Sequence, residues 1–200
     1  MAGQFLENYF TAKVLAAQKR YYGASQVIPP QPKQDLLTED EIGFITSRDS
    51  FYLGTVSSNG WPYIQHRGGS PGFLKVTGQN QLAFADYKGN RQMLSTGNLA
   101  DNDRVAMFLM DYPSRTRLKI MGHARVLDAR EHPELARQLA EPAAQKITER
   151  IFQITVVSFD WNCPKYITPR YTEAEVREAI APLQERIAEL EAQLKLKKAV

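Results

Sequence analysis

The sequence predicts a mainly β, α+β chain: six antiparallel strands closing into a small closed or split β-barrel, with peripheral helices and a C-terminal heptad helix. Three observations predict it. Apolar runs of strand length recur between residues 51 and 159, turn signals separate them at hairpin spacing, and helical periodicity is confined to the ends and to one or two crossings. A β-sandwich fits the same periodicity, whereas barrel closure also removes exposed strand edges. The chain divides into an N-terminal helix and Pro-rich linker (1–36), a barrel domain (37–170) and a C-terminal amphipathic helix (171–200).

Two hundred residues, 43% hydrophobic and 24% charged, suffice for one substantial core of ordinary soluble character. The net charge of +3 is mild, and the basic residues are scattered apart from Lys195, Lys197 and Lys198, so no nucleic-acid partner is expected. A lone cysteine, Cys163, rules out an intramolecular disulfide and a Cys-cluster metal site, which suits a reducing compartment. The first thirty residues contain no apolar run of signal-peptide or membrane-span length. A cytoplasmic location and no membrane partner are the expectations.

Taken in order, residues 5–22 carry Phe5, Phe10, Val14, Leu15, Ala17, Tyr21 and Tyr22 on approximately one helical face, predicting a helix that packs on the barrel or a partner. Val27-Ile-Pro-Pro-Gln-Pro32 ends it, because proline removes donors and extends its predecessor. Thr38-Glu-Asp-Glu41 is a capping box that starts a short helix. Phe51-Tyr-Leu-Gly-Thr-Val56 and Trp61-Pro-Tyr-Ile-Gln-His66 form a hairpin around Ser57-Ser-Asn-Gly60, where Asn-Gly supplies the positive φ of a tight turn. A Gly-rich segment, Gly68-Gly-Ser-Pro-Gly72, leads to a second hairpin, Phe73-Leu-Lys-Val76 and Gln81-Leu-Ala-Phe-Ala85.

Residues 93–99 form a helix or turn, followed by the loop Ala100-Asp-Asn-Asp103. Val105-Ala-Met-Phe-Leu-Met110 is apolar throughout, as a strand buried on both sides is. Residues 117–127 alternate, with Leu118, Ile120, Gly122, Ala124 and Val126 on one face and Lys119, Met121, His123 and Arg125 on the other. Residues 133–139 read as helix and Ile151-Phe-Gln-Ile-Thr-Val-Val-Ser-Phe159 as a strong strand. In the tail, Thr172-Glu-Ala-Glu175 is a second capping box. Val176, Ile180, Leu183, Ile187, Leu190 and Leu194 then follow at alternating spacings of four and three, a heptad stripe with Pro182 near its start. Packing on its own domain and pairing with a second subunit both fit this stripe.

No self-contained catalytic group emerges. His66, His123 and His132 lack metal-ligand spacing, so no metal is expected, and Cys163 before Pro164 reads as a packed thiol. Nucleophile-elbow, phosphate-loop and dinucleotide-binding motifs are absent. The segment Phe84-Ala-Asp-Tyr-Lys-Gly-Asn-Arg-Gln-Met-Leu94 passes from strand through a turn toward a helix start. Backbone N–H groups there, beside Lys88 and Arg91, suit an oxyanion, although a solvated turn has the same composition. A barrel with basic and hydroxyl residues at its strand ends leaves the chemistry to a bound cofactor.

The hairpin ending in Gln65-His-Arg67, the 84–92 segment, the apolar strand containing Phe108, and Arg115-Thr-Arg-Leu-Lys-Ile-Met-Gly-His-Ala-Arg-Val126 occur in an order that resembles the flavin-binding split barrels related to pyridoxamine 5′-phosphate oxidase. The resemblance covers residues 37–170. It implies an FMN-dependent oxidoreductase, a homodimer that holds FMN between subunits, and a small-molecule electron donor or acceptor. Arg67, Lys88, Asn90, Arg91 and Gln92 look like phosphate-binding positions. Gln65, His66, Ala85 and Asp86 look placed near the ribityl chain or ring edge, and Trp161 resembles an aromatic residue approaching the flavin from the partner subunit. Deazaflavin F420 and haem replace FMN in some relatives of this fold. The basic, aromatic C-terminal segment of true vitamin B6 oxidases is missing, so the likeness is to the uncharacterised flavin-nucleotide-binding branch. A non-catalytic flavin- or ligand-binding sensory module with a C-terminal interaction helix is the alternative, and catalytic residues are unassigned.

Overall fold

The computed structural model describes residues 3–29, 35–89, 91–161 and 164–198, the last three by backbone alone. Seven strands build it: β1 (Ser50–Val56), β2 (Pro62–Gly68), β3 (Lys75–Gly78), β4 (Gln81–Tyr87), β5 (Arg104–Asp111), β6 (Thr116–Asp128) and β7 (Thr148–Trp161). They form one antiparallel sheet in the order β2-β1-β5-β6-β7-β4-β3. Each of the seven corresponds to a segment read as a strand from the sequence, β3 to residues 73–76, so the expected count of six is one short of those segments.

Although β2 and β4 stand far apart in that order, Arg67 on β2 reaches Asp86 on β4 at 2.5 Å. The ring of Phe51 on β1 lies 5.3 Å from that of Phe84 on β4. The sheet therefore curls until its two edges face each other without pairing, which is the split barrel. Its interior is filled by the alternating residues of the strands. Phe51, Leu53, Phe84, Met107, Leu109, Leu118, Ile120 and Phe152 are all essentially inaccessible to water. Burial of each such side chain contributes about 1.5–3 kcal/mol, and the Phe84 and Phe152 rings stack at 4.9 Å.

Two glycines are dictated by geometry. Gly60 has φ of 87° in the β1–β2 turn, and a Cβ on Gly122 would lie 2.3 Å from the Thr155 carbonyl, where the β6–β7 register shifts.

Helices cover the periphery: α1 (Gly3–Tyr9), α2 (Ala12–Tyr22), α3 (Glu39–Thr46), α4 (Leu94–Asp101), α5 (Pro133–Leu139) and α6 (Glu173–Lys198), with a 3-10 segment at Pro142–Ile147. The single N-terminal helix read from the sequence is two. Thr11 is extended and its hydroxyl accepts from the Val14 amide, so a new helix is capped there. Only Phe5 of this region is buried, while Tyr21 and Tyr22 stand exposed, so of the two expected roles, packing on the barrel and packing on a partner, α2 does not take the first. At α3 the Thr38 amide donates to the Glu41 carboxylate at 3.0 Å, and at α6 the Thr172 amide donates to Glu175 at 2.7 Å. Both capping boxes thus form. Pro182 sits inside a continuous α6. On the outer side of β4 and β7, α5 buries Ala136 and Leu139 against Ala83, Ala85 and Ile151. No helix among the described residues is long and apolar enough to cross a membrane. Asn90, Cys163 and part of the expected linker, residues 30–32, lie outside the described residues.

Candidate functional site

Alternation along β2 turns Tyr63, Gln65 and Arg67 toward the barrel's split and leaves Ile64 and His66 facing outward. Opposite them, Asp86, the last residue but one of β4, pairs in register with Arg150 of β7. The Asp86 carboxylate is buried and held from both sides, by Arg67 Nη1 at 2.5 Å and Arg150 Nε at 2.7 Å. The Arg67 guanidinium also lies 5.0 Å from the Phe152 ring centre, over its face. Arg150 also engages Glu149 at 3.0 Å, so two cations and two carboxylates form a charge-balanced, rigid wall.

Beyond β4 the chain turns through Arg91 and Met93, both left-handed with φ of 61° and 59°. A side chain in that conformation costs roughly 1–2 kcal/mol, and two in three residues set the path into α4. The first-turn N–H groups of any helix lack intrahelical partners, and no side chain among the described residues caps this one. Leu94, Ser95 and Thr96 border the same cavity as Gln65, Arg67, Asp86 and Arg91, with a volume of about 200 Å³. Inside it the buried Ser95 hydroxyl donates to Gln65 Oε1 at 2.9 Å, which leaves the Gln65 amide N–H groups as donors.

Arg91, Met93, Thr96 and Arg150 also form one wall of an adjoining groove of about 990 Å³. Met93, Leu99, Val126 and Leu127 supply its apolar lining, and Arg125 and Arg130 add charge. This is the upper end of the roughly 300–1,000 Å³ range of small-ligand sites. Each carboxylate of the cleft is engaged: Asp86 by two arginines, Glu149 by Arg150 at 3.0 Å, Asp103 by His123 at 2.9 Å and Asp128 by Arg130. Hydrogen bonds from the Arg130 side chain hold the Asp128 carboxyl at about 2, so it stays ionised. Arg91, by contrast, forms no ion pair with any described residue. An exposed unpaired guanidinium beside a helix N-terminus and a side-chain amide is a donor set for an oxyanion.

The structure thus gathers Gln65, Arg67, Asp86, Arg91 and Gln92 around one cavity. Four other residues named from the sequence do not line the cleft. His66 lies on the outward face against Tyr52, since neighbours on a strand point oppositely. Ala85 is packed under α5 for the same reason. Lys88 is exposed, its amide bonded to the Ile147 carbonyl. Trp161 lies at the far end of β7, edge-on to Phe44, with its indole N–H donating to Glu41 at 2.6 Å.

Arg150, Ser95 and Thr96 were missed. Arg150 was legible as an extension of the strand before Ile151, whereas the hydroxyls carried no signal beyond proximity to the segment at 84–94. No group of three or more metal-ligating side chains occurs among the described residues.

A family model described as pyridoxamine 5′-phosphate oxidase matches residues 37–161. No curated protein matches the chain. Among solved structures, a putative pyridoxamine 5′-phosphate oxidase from Lactobacillus delbrueckii is 17% identical, with a TM-score of 0.49 over 62% of this chain and 93% of its own. HupZ of Group A Streptococcus is 12% identical, with a TM-score of 0.49 over 68% and 99%. General Stress Protein 26 of Bacillus anthracis is 13% identical, with a TM-score of 0.48 over 61% and 91%.

Proposed function

The chain belongs to the pyridoxamine 5′-phosphate oxidase family, and we propose that it is an FMN-dependent oxidoreductase holding its flavin in the cleft between β2, β4, β6 and α4 at a homodimer interface. The observation that carries this reading is the convergence of Arg91, the Gln65 amide and the start of α4 on one cavity that shares a wall with a larger, partly apolar groove.

Those residues fit a molecule with a phosphate at one end and a flat apolar ring at the other. Arg91, with Gln92 and the α4 N–H groups, holds the phosphate. Gln65, oriented by Ser95, donates to the polar middle of the cofactor, and Arg67, Asp86 and Arg150 form a fixed wall beside it. Met93, Leu99, Val126 and Leu127 seat the ring and exclude water. When bound, FMN supplies acceptance of a hydride or electrons from a reduced donor and their delivery to an acceptor. Haem is disfavoured within one protomer because no histidine lines the cleft among the described residues. A deazaflavin carries the same ring and phosphate chemistry and is separated from FMN by mass.

Dimerisation is supported by the outward face of β2, β1 and β5, where His66, Tyr52 and Phe108 stand in one row and Ile64 is 70% exposed beside them. His66 and Trp161, away from the cleft of their own protomer, would meet a flavin only across such an interface.

A non-catalytic binding module is the second reading, favoured by the engagement of every cleft carboxylate, which leaves none free for proton transfer. The purified protein is expected to show a flavin absorption band, with FMN identified by mass, and to quench FMN fluorescence on titration. A colourless protein without quenching overturns the FMN reading. Rapid reduction of the bound flavin by NADH or NADPH, with transfer to an added acceptor, separates enzyme from module.

A further inference from the structure

The stripe on α6 is the feature the cleft does not use. Among the described side chains of this helix only Ala181 is even half-buried. Val176, Ile180, Leu183, Ile187, Leu190 and Leu194 are all exposed, from 38% to 65%. Six large aliphatic side chains on one face of a 26-residue helix, about 39 Å long at 1.5 Å per residue, form a contiguous apolar seam rather than scattered surface residues. We infer that this seam is covered by the same helix of a second copy of the chain, in a parallel two-stranded coiled coil.

Three features select that occupant. The spacing places Ile180, Ile187 and Leu194 at heptad position a and Val176, Leu183 and Leu190 at position d. β-Branched residues at a with Leu at d favour two parallel strands, because the two layers pack side chains in different orientations. Arg186 then precedes an a residue and Glu191 follows a d residue, so in a parallel pair each Arg186 lies beside Glu191 of the other helix. The antiparallel arrangement with the same apolar layers sets Arg186 beside its own copy. Finally, Pro182 occupies position c, away from the seam, so the helix hydrogen bond it removes does not interrupt the apolar layers.

Six layers are marginal for two free helices. Attachment to barrels that are themselves paired, as proposed above, holds the second helix at a millimolar effective concentration. Light scattering of a chain ending at Arg170 reads the barrel pairing alone, so the two ideas fail separately.

Cross-linking tests the helix pair in the full chain, with the single cysteine removed by Cys163→Ser. Leu190→Cys places a thiol at a d layer, where the two copies meet, and Ala188→Cys places one on the outer face. Mild oxidation should give on the order of tenfold more disulfide-linked dimer for Leu190→Cys, because only there do the Cβ atoms reach bonding distance. Adding Arg186→Glu to the Leu190→Cys chain should lower the yield, and adding Glu191→Arg as well should restore it. The stripe makes no buried contact with the barrel, so these changes leave the domain folded. Absence of cross-linking at position 190, or equal cross-linking at 188, overturns the parallel pair.

Discussion

Two buried carboxylates stand at opposite ends of β7 and are held by different chemistry. Asp86, beside the strand's beginning, is clamped by Arg67 and Arg150. Glu41, beside its end, receives the Thr38 amide and hydroxyl on one oxygen and the Trp161 indole on the other. Neutral donors leave the Glu41 end closed: the carboxylate fastens α3 to the last residue of the barrel and borders no part of the cleft. Charged donors hold the Asp86 end, which borders the open cavity with Arg91 and the α4 start beside it. The Glu41 carboxylate is thus a fastener held by neutral donors, and Asp86 a site wall held by charged ones.

The largest expected effect breaks the clamp. Asp86→Ala leaves the largely buried Arg67 guanidinium without a carboxylate and Arg150 with Glu149 alone, and should destabilise the fold by about 3–5 kcal/mol, measured by urea denaturation. A loss below about 1 kcal/mol, the scale of an exposed pair, would mean that Asp86 is solvated and the wall is not rigid.

Arg91→Ala comes next and should separate binding from stability. FMN affinity should fall by about 2 kcal/mol, roughly 30-fold, through loss of a charge-assisted contact. The urea midpoint should barely move, because Arg91 is exposed and forms no ion pair with a described residue. Unchanged affinity removes Arg91 from the site.

The smallest effect lies at the closed end. Burial by itself raises the Glu41 pKa, but the bonds from Thr38 and Trp161 outweigh it and hold the group below the ordinary glutamate value. A depressed folded pKa contributes stability that is complete above the unfolded value, near 4.3, and is lost as pH falls through the folded one. Glu41→Gln should therefore cost about 1 kcal/mol at pH 7 and flatten the loss of stability between neutral and strongly acidic pH. Parallel acid profiles for the two proteins would show that Glu41 does not sense acid.

Local chemistry made much of this legible. Both capping boxes formed where Thr stands three residues before Glu, and the Asn59-Gly60 turn closed the first hairpin, since each depends on neighbours in sequence. Period-2 alternation placed Leu118, Ile120 and Ala124 inside. The same alternation, applied to β2, separates His66 from Gln65 and Arg67. Grouping all three by their shared strand end overlooked it. Alternation gives no such help on β4, where Leu82, Ala83, Phe84, Ala85 and Asp86 are all buried, so which face Ala85 takes was undetermined. The N-terminal segment reads as one helix because apolar spacing runs through Thr11, whose extended backbone instead caps a second helix.

The sequence by itself determined the strands, their hairpin connections, the helix starts, the heptad register of α6 and the family, because these follow from spacings within a few residues or from motifs in fixed order. Only the tertiary structure decided that Arg67, Asp86 and Arg150, separated by 19 and 64 residues, form one cluster, and that Arg91 stands beside the cavity with no ion pair to a described residue. Those contacts exist only once the sheet has curled and brought its two unpaired edges together, and no local period encodes the meeting of edges.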